Sequence, residues 1–247
     1  MKGAIEGLQA DRQALLEICE GLTEADWKTE SGCAGWSVQD LVAHMGALFW
    51  VVVDPSKLPE TSDLPTERAQ DVYVESRRSW SPEQVVADYE TVSTEAIERL
   101  TGLEGQDFEV PLGDLGTYPA SVLPNAFAFD HFTHIRADLF APRGPLTGEP
   151  PAADELRLVP AIDWIEAALP QQNAELLASL GGTVDLLLEG PGGGAIHLGS
   201  GDRGAEIRSS SPAFVRWITQ RATWEGEGVE TSGDQGLLDV ARELKVF

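Results

Sequence analysis

Apolar positions fall into helical stripes over the first 140 residues and into shorter, mixed runs beyond. Ile5, Leu8, Leu15, Ile18, Cys19 and Leu22 recur at the 3.6-residue period of an amphipathic helix. Ser37 stands three residues before Asp40, a capping-box pattern. Val38, Leu41, Val42, Met45, Leu48 and Phe49 follow on one face, predicting a second helix that Asp54-Pro55 ends. Ser56 to Arg68 holds Pro59 and Pro65 and few apolar residues, so it reads as a loop. Ser81-Pro82-Glu83 opens a third helix: serine caps, proline takes the first helical position and the acid complements the dipole. Val85, Val86, Tyr89, Val92, Ala96 and Leu100 carry it to Gly102. A fourth runs from about Pro119 to Phe140, its start trimmed or kinked by Pro124. Four amphipathic helices in this span predict an antiparallel bundle.

The texture changes at Ala141. The segment Ala141 to Pro151 is rich in proline and glycine, a linker composition. Beyond it, Leu156, Val159, Ile162, Ile165 and Leu169 mark a helix over Glu155 to Leu169. Thr183 to Leu188 and Ala195 to Leu198 read as strands joined by the Gly190–Gly194 turn, with Ala205 to Arg208 a third. Ser211-Pro212 starts a short helix through Trp217 and Ile218, and Gly233 to Leu244 reads as the last. The expected architecture is a helical bundle (1–142), a linker (143–153) and a small α+β domain (154–247).

Composition narrows the function classes. With 17 basic against 41 acidic residues in 247, the formal net charge is −24. That excludes general nucleic-acid binding, which needs a basic surface, and docking to anionic membranes. Cys19 and Cys33 make neither a disulfide framework nor a metal-ligand pair. The N-terminus lacks a secretory pattern, and the longest apolar run, Ala47 to Val53, is too short to span a membrane. The expected location is cytoplasmic, as a monomer or homodimer.

Three of the four histidines fall on two bundle helices: His44 on the second, His131 and His134 on the fourth. Asp130 and His134 share one helical face, and Asp138 continues it. If the two helices face each other, His44, Asp130 and His134 converge in the bundle core as ligands for a divalent metal. Three protein ligands leave a coordination position open, as in catalytic sites.

Gly35-Trp36-Ser37-Val38-Gln39-Asp40-Leu41-Val42-Ala43-His44 resembles the signature of the mycothiol-dependent maleylpyruvate isomerase family. Leu22 to Trp27 resembles its lead-in, and Asp130-His131-Phe132-Thr133-His134 its acid-x-x-x-His segment. The resemblance implies a DinB-like four-helix bundle followed by a small sterol-carrier-protein-like α+β domain. It implies a divalent metal, zinc above others, on His44, Asp130 and His134. It further implies mycothiol as cosubstrate, with metal-activated thiolate adding to a small electrophile in an isomerase or S-transferase reaction. Arg221, in Phe214 to Arg221, resembles the arginine that the family places near the metal. Asp130 stands where the family has glutamate, so Asp138 or His131 are alternative ligands. Arg136 faces elsewhere and reads as solvated or salt-bridged.

Other features read as structural. Gly199 to Gly204 matches GxGxxG, but a strand follows where a dinucleotide site needs a helix, so a hairpin loop is expected. No histidine flanks Cys33, which reads as a plain loop cysteine; Cys19 reads as core, Trp36 and Trp164 as packing residues. Two rivals stand beside the thiol-dependent metalloenzyme. One is a non-haem Fe(II) enzyme on the same two-histidine, one-carboxylate set. The other is a non-catalytic small-molecule-binding or regulatory protein.

Overall fold

The computed structural model describes residues 2–247. The first unit opens with helix α1 (Lys2–Gly21), a short α2 (Glu24–Lys28) and α3 (Val38–Val53). After α4 (Thr66–Glu75) and α5 (Pro82–Thr101), two short strands, β1 (Glu109–Pro111) and β2 (Thr117–Pro119), pair antiparallel. α6 (Leu123–Thr133) follows and widens into a π-helical turn over His134–Leu139. The capping box at Ser37 forms as expected, its N–H donating to Asp40 at 2.9 Å; Ser81 caps its helix as expected and also closes a box with Gln84, its N–H donating at 2.8 Å. Leu8, Leu15, Leu41, Met45, Phe49, Tyr89, Leu100 and Ile135 bury their side chains between α1, α3, α5 and the α6 segment. Each such burial contributes about 1.5–3 kcal/mol.

The structure corrects the pattern in places. The loop after α3 ends at Pro65, because α4 starts at Thr66; only Ala69 and Val74 of that helix are buried, too few to show a period. The fourth helix begins at Leu123 rather than Pro119, which pairs with Glu109 in the β1–β2 ladder. Pro124 lies in the first turn of α6, where its missing N–H leaves no helical bond unmade.

The second unit packs α7 (Glu155–Gln172), α8 (Ala174–Ser179), α9 (Ser211–Ile218) and α10 (Gln235–Ala241) with a four-stranded sheet. Its strands are β3 (Thr183–Glu189), β4 (Gly194–Gly199), β5 (Gly204–Ser210) and β6 (Glu230–Gly233), in the order β4-β3-β5-β6. Val184, Leu186, Ile196, Leu198 and Ile207 turn inward onto a core with Trp164, Phe214 and Trp217. β3 and β5 run parallel, so Gly199 to Gly204 is not a hairpin loop: it crosses from β4 to β5 on opposite sides of β3. Gly204 opens a strand, which leaves no helix N-terminus for a pyrophosphate. Gly233, expected in the last helix, ends β6 instead.

α7 ties the two units together by packing on α1 and α6, whose Phe129 and Phe132 join the second core. A buried ion cluster fastens the same junction. Arg136 donates to both Asp11 oxygens at 2.7 and 3.0 Å, and Arg157 Nε donates to Asp11 Oδ1 at 2.9 Å. Arg136 also donates to the Pro151 and Ala152 carbonyls, so the proline-rich segment is pinned to the bundle. Asp11→Ala leaves the buried Arg136 guanidinium without a carboxylate, while Arg157 keeps Asp154. It is expected to lower stability by about 3–5 kcal/mol, read as a lower midpoint of urea denaturation.

Candidate metal centre

The capping box at Ser37 sets the start of α3, and two turns later His44 lies buried against α6. Asp130 and His134 stand one turn apart at the end of α6, so both side chains project toward α3. His44 Nε2 lies 3.3 Å from Asp130 Oδ1, and His134 Nε2 lies 3.4 Å from the same oxygen. The two imidazoles meet edge to face with centroids 5.0 Å apart. Trp36 covers His44, also at 5.0 Å, and its indole N–H donates to Asp71. The shorter Asp130 carboxylate therefore reaches both histidines.

Beyond His134 lies a second carboxylate. The His134 Nδ1–H donates to Asp138 Oδ2 at 2.8 Å, and Asp138 is wholly buried. The π-helical turn sets this contact. Arg221 approaches from the second unit and places Nε and Nη2 at 2.8 and 2.6 Å from the same Asp138 oxygen. Its position follows from the end of α9. Gln220 adopts a left-handed φ of 59°, and the Arg221 N–H closes back onto the Arg216 carbonyl at 2.8 Å. Arg221 is thus turned inward at the helix end rather than left on the surface.

The electrostatics are strongly coupled. Burial alone would raise the Asp130 carboxyl, but the imidazoles of His134 and His44 outweigh it and hold it well below the usual range. Burial would lower His134, but Asp130 and Asp138 on its two sides raise it well above an ordinary histidine. Asp138, opposed by burial, is held well below the usual range by His134 and Arg221.

His131 does not join the group. Its Nδ1–H donates to the Phe127 carbonyl, which leaves Nε2 to accept from the Tyr89 hydroxyl, both at 3.0 Å. Both ring nitrogens are occupied, and burial lowers its pKa, keeping it neutral. Arg136 is salt-bridged as described, and His197 pairs with Asp185 on the exposed face of the sheet.

Cys33 departs from expectation. Its Sγ lies 3.7 Å from His134 Nδ1, a partner 101 residues away that no local pattern reveals. Two donor groups consequently share His134: His44 with Asp130, and Cys33 with Asp138. The guanidinium of Arg221 on Asp138, with Arg143 Nη1 3.8 Å from its other oxygen, opposes a cation in the second group. The first group carries no such opposition, and Asp130 Oδ2 is buried without a hydrogen-bond partner. Its two N···O separations match the ligand–ligand edge of about 3.3–3.4 Å for tetrahedral bonds of about 2.0–2.1 Å. The His44, Asp130 and His134 donor set therefore fits a divalent metal.

Gly32 shapes the floor of this site. Its N–H donates to the Asp138 carbonyl at 2.8 Å. A Cβ there would lie 2.6 Å from Asp138 Oδ1 and 2.7 Å from the Asp138 Cα. Gly32→Ala must push the backbone away from Asp138. It is expected to weaken metal binding about 10–100-fold through the displaced carboxylate, read by competition with a chelator.

The mycothiol maleylpyruvate isomerase N-terminal domain model matches residues 8–140, and the corresponding C-terminal domain model matches residues 160–239. No curated protein is significantly similar to the sequence. Two solved structures share the fold across 94% of this chain and 92% of theirs, at 16% identity. One is a mycothiol-dependent maleylpyruvate isomerase, with a TM-score of 0.61; the other is a histidine-to-alanine variant of that enzyme, with 0.60. The matched models span both units and more than half of the chain, which therefore belongs to the mycothiol maleylpyruvate isomerase family.

Proposed function

We propose that the protein is a thiol-dependent metalloenzyme in which His44, Asp130 and His134 hold a divalent metal, zinc above others, and mycothiol is the cosubstrate. The observation that carries this reading is the convergence of both histidine Nε2 atoms on Asp130 Oδ1, with Arg221 on the far edge of His134. When bound, the metal supplies a Lewis acid that lowers the pKa of a thiol and yields thiolate at neutral pH.

The chain's own residues do the rest. Asp138 accepts the His134 Nδ1 proton, which fixes the ring and leaves Nε2 as the ligand atom. Three of the five guanidinium N–H groups of Arg221 face Asp138 and the Thr219 carbonyl, so two are left for a substrate. Guanidinium N–H groups suit a carboxylate or a developing enolate. The substrate class is thus a small anionic electrophile, and the reaction is isomerisation or S-transfer through reversible thiolate addition. Maleylpyruvate, the substrate in the names of the structural neighbours, is the first compound to assay.

The raised His134 pKa gives the pH dependence its sign. In the metal-free protein His134 is protonated at neutral pH, so occupancy of Nε2 expels a proton. Metal uptake at pH 7 is expected to release about one proton per ion, measured with an indicator in weak buffer. Affinity then falls as pH falls. The test of the reading as a whole is mycothiol titration of the cobalt-loaded protein. A sulfur-to-cobalt absorption band that saturates is expected. Metal uptake without any spectral response to the thiol overturns the thiol-dependent reading and favours the Fe(II) or binding-protein alternatives.

A further inference from the structure

We infer that the groove on the outer face of Trp36 is a carbohydrate site, which takes a neutral hydroxylated ring, a pyranose or a cyclitol. The groove lies between α2, the start of α3 and the loop that enters α5, and has a volume of about 940 Å³. Cavities that hold small molecules span roughly 300–1,000 Å³. None of the proposed metal ligands lines it.

Two indoles form its platforms. Trp36 rests one face against His44, with ring centroids 5.0 Å apart, and its indole N–H donates to Asp71 at 3.2 Å. Trp80 rests on the guanidinium of buried Arg77, 5.2 Å from the ring centroid, and its carbonyl accepts from Gln39 at 2.8 Å. Each ring is thus backed by protein on one side and only half-buried, and both line the groove. The negative π face of an indole attracts the polarised C–H groups on the face of a sugar ring. The rim supplies both signs of charge. Lys28 Nζ lies 2.6 Å from Glu24, and Arg78 Nε lies 3.6 Å from Asp40. Glu30 and Glu83 extend the rim with carboxylates that pair with no cation among the described residues.

These charges select the ligand class. Four carboxylates against two cations repel a phosphate or another strong anion. An apolar ligand would strip water from the charged rim and offer it no hydrogen bond. A cation is opposed by Arg77, which already occupies the far face of Trp80, and by Lys28 and Arg78 on the rim. A hydroxyl both donates and accepts, so a hydroxylated ring can meet the ammonium and guanidinium on one side and the free carboxylates on the other. Such a ring has two sources, the carbohydrate portion of mycothiol and a separate sugar. Trp36 is the wall shared by the groove and the proposed ligand His44, so the first source would place the ring one indole away from the metal centre.

The test is calorimetric titration of the full chain with N-acetylglucosaminyl-inositol, the thiol-free core of mycothiol, and with tetramethylammonium as the cationic probe. Saturable binding of the sugar is expected, tighter than that of tetramethylammonium. Trp80→Ala weakens it about tenfold. Glu30→Ala, on the exposed rim where folding is not at stake, weakens it about threefold. No binding of the sugar, tighter binding of tetramethylammonium, or both variants binding like the wild type overturns the inference. Mycothiol and N-acetylcysteine, titrated into the cobalt-loaded protein, separate the two sources. If Trp80→Ala weakens mycothiol and spares N-acetylcysteine, the ring is that of the thiol; if it spares both and weakens only the sugar, the ligand is a separate sugar. A chain that binds the sugar without any response to a thiol refutes the thiol-dependent reading alone. One that responds to the thiol without binding the sugar refutes the carbohydrate site alone.

Discussion

His134→Ala is expected to abolish stoichiometric binding of a divalent metal. The side chain supplies one of three proposed ligand atoms and also links the centre to Asp138 and Arg221. Loss of an outer partner of a metal ligand costs about 10–100-fold in affinity, and removal of the ligand itself exceeds that. Asp138→Asn therefore sets the lower mark: it keeps the three ligands but removes the charge that orients His134. His197→Ala is the silent control, because that histidine pairs with Asp185 on the exposed face of the sheet. Chelator competition ranks the three variants. Equal affinities for His134→Ala and the control would remove His134 from the metal centre.

Arg221→Ala is expected to retain metal while losing turnover. The guanidinium touches Asp138 and the far edge of His134, not the convergent Nε2 atoms. In the proposed mechanism it offers N–H groups to negative charge on the substrate. Removal of a preorganised donor to developing charge costs about 10²–10³ in kcat, roughly 3–4 kcal/mol. Arg221→Lys recovers little, since an ammonium lacks the planar fork. Thiol-dependent turnover is the readout, with metal content in parallel. A variant that turns over normally returns Arg221 to a purely structural ion pair with Asp138.

The bundle was legible because its signals are local. Ser37 with Asp40 and Ser81 with Pro82 start helices at the positions the pattern predicts. The spacing of Asp130 and His134 places both on one face of α6. The signals that failed were weak or non-local. α4 buries too little to show a period, and the β1–β2 pair consists of three-residue strands whose pairing depends on the chain around them. Gly199 to Gly204 looked like a hairpin because sequence does not record that β3 passes between β4 and β5.

The candidate site divides in the same way. His44, Asp130, His134 and Arg221 were nameable from pattern and family resemblance, and the fold brings them together. The inward turn of Arg221 depends on a left-handed Gln220, a conformation rare outside glycine that composition does not announce. His131 looked like an alternative ligand until Tyr89 and Phe127 claimed its two nitrogens. Asp138 emerged as the partner of His134 Nδ1 only once the π-helical turn was placed. Cys33 carries no local signal, since its histidine stands 101 residues further along the chain.

The measurement closest to the central claim is the metal content, by elemental analysis, of wild-type protein purified without chelator and then equilibrated with excess divalent ion. The account predicts about one ion per chain, lost on His134→Ala. A wild type that stays metal-free after equilibration contradicts it, and the binding-protein reading then stands in its place.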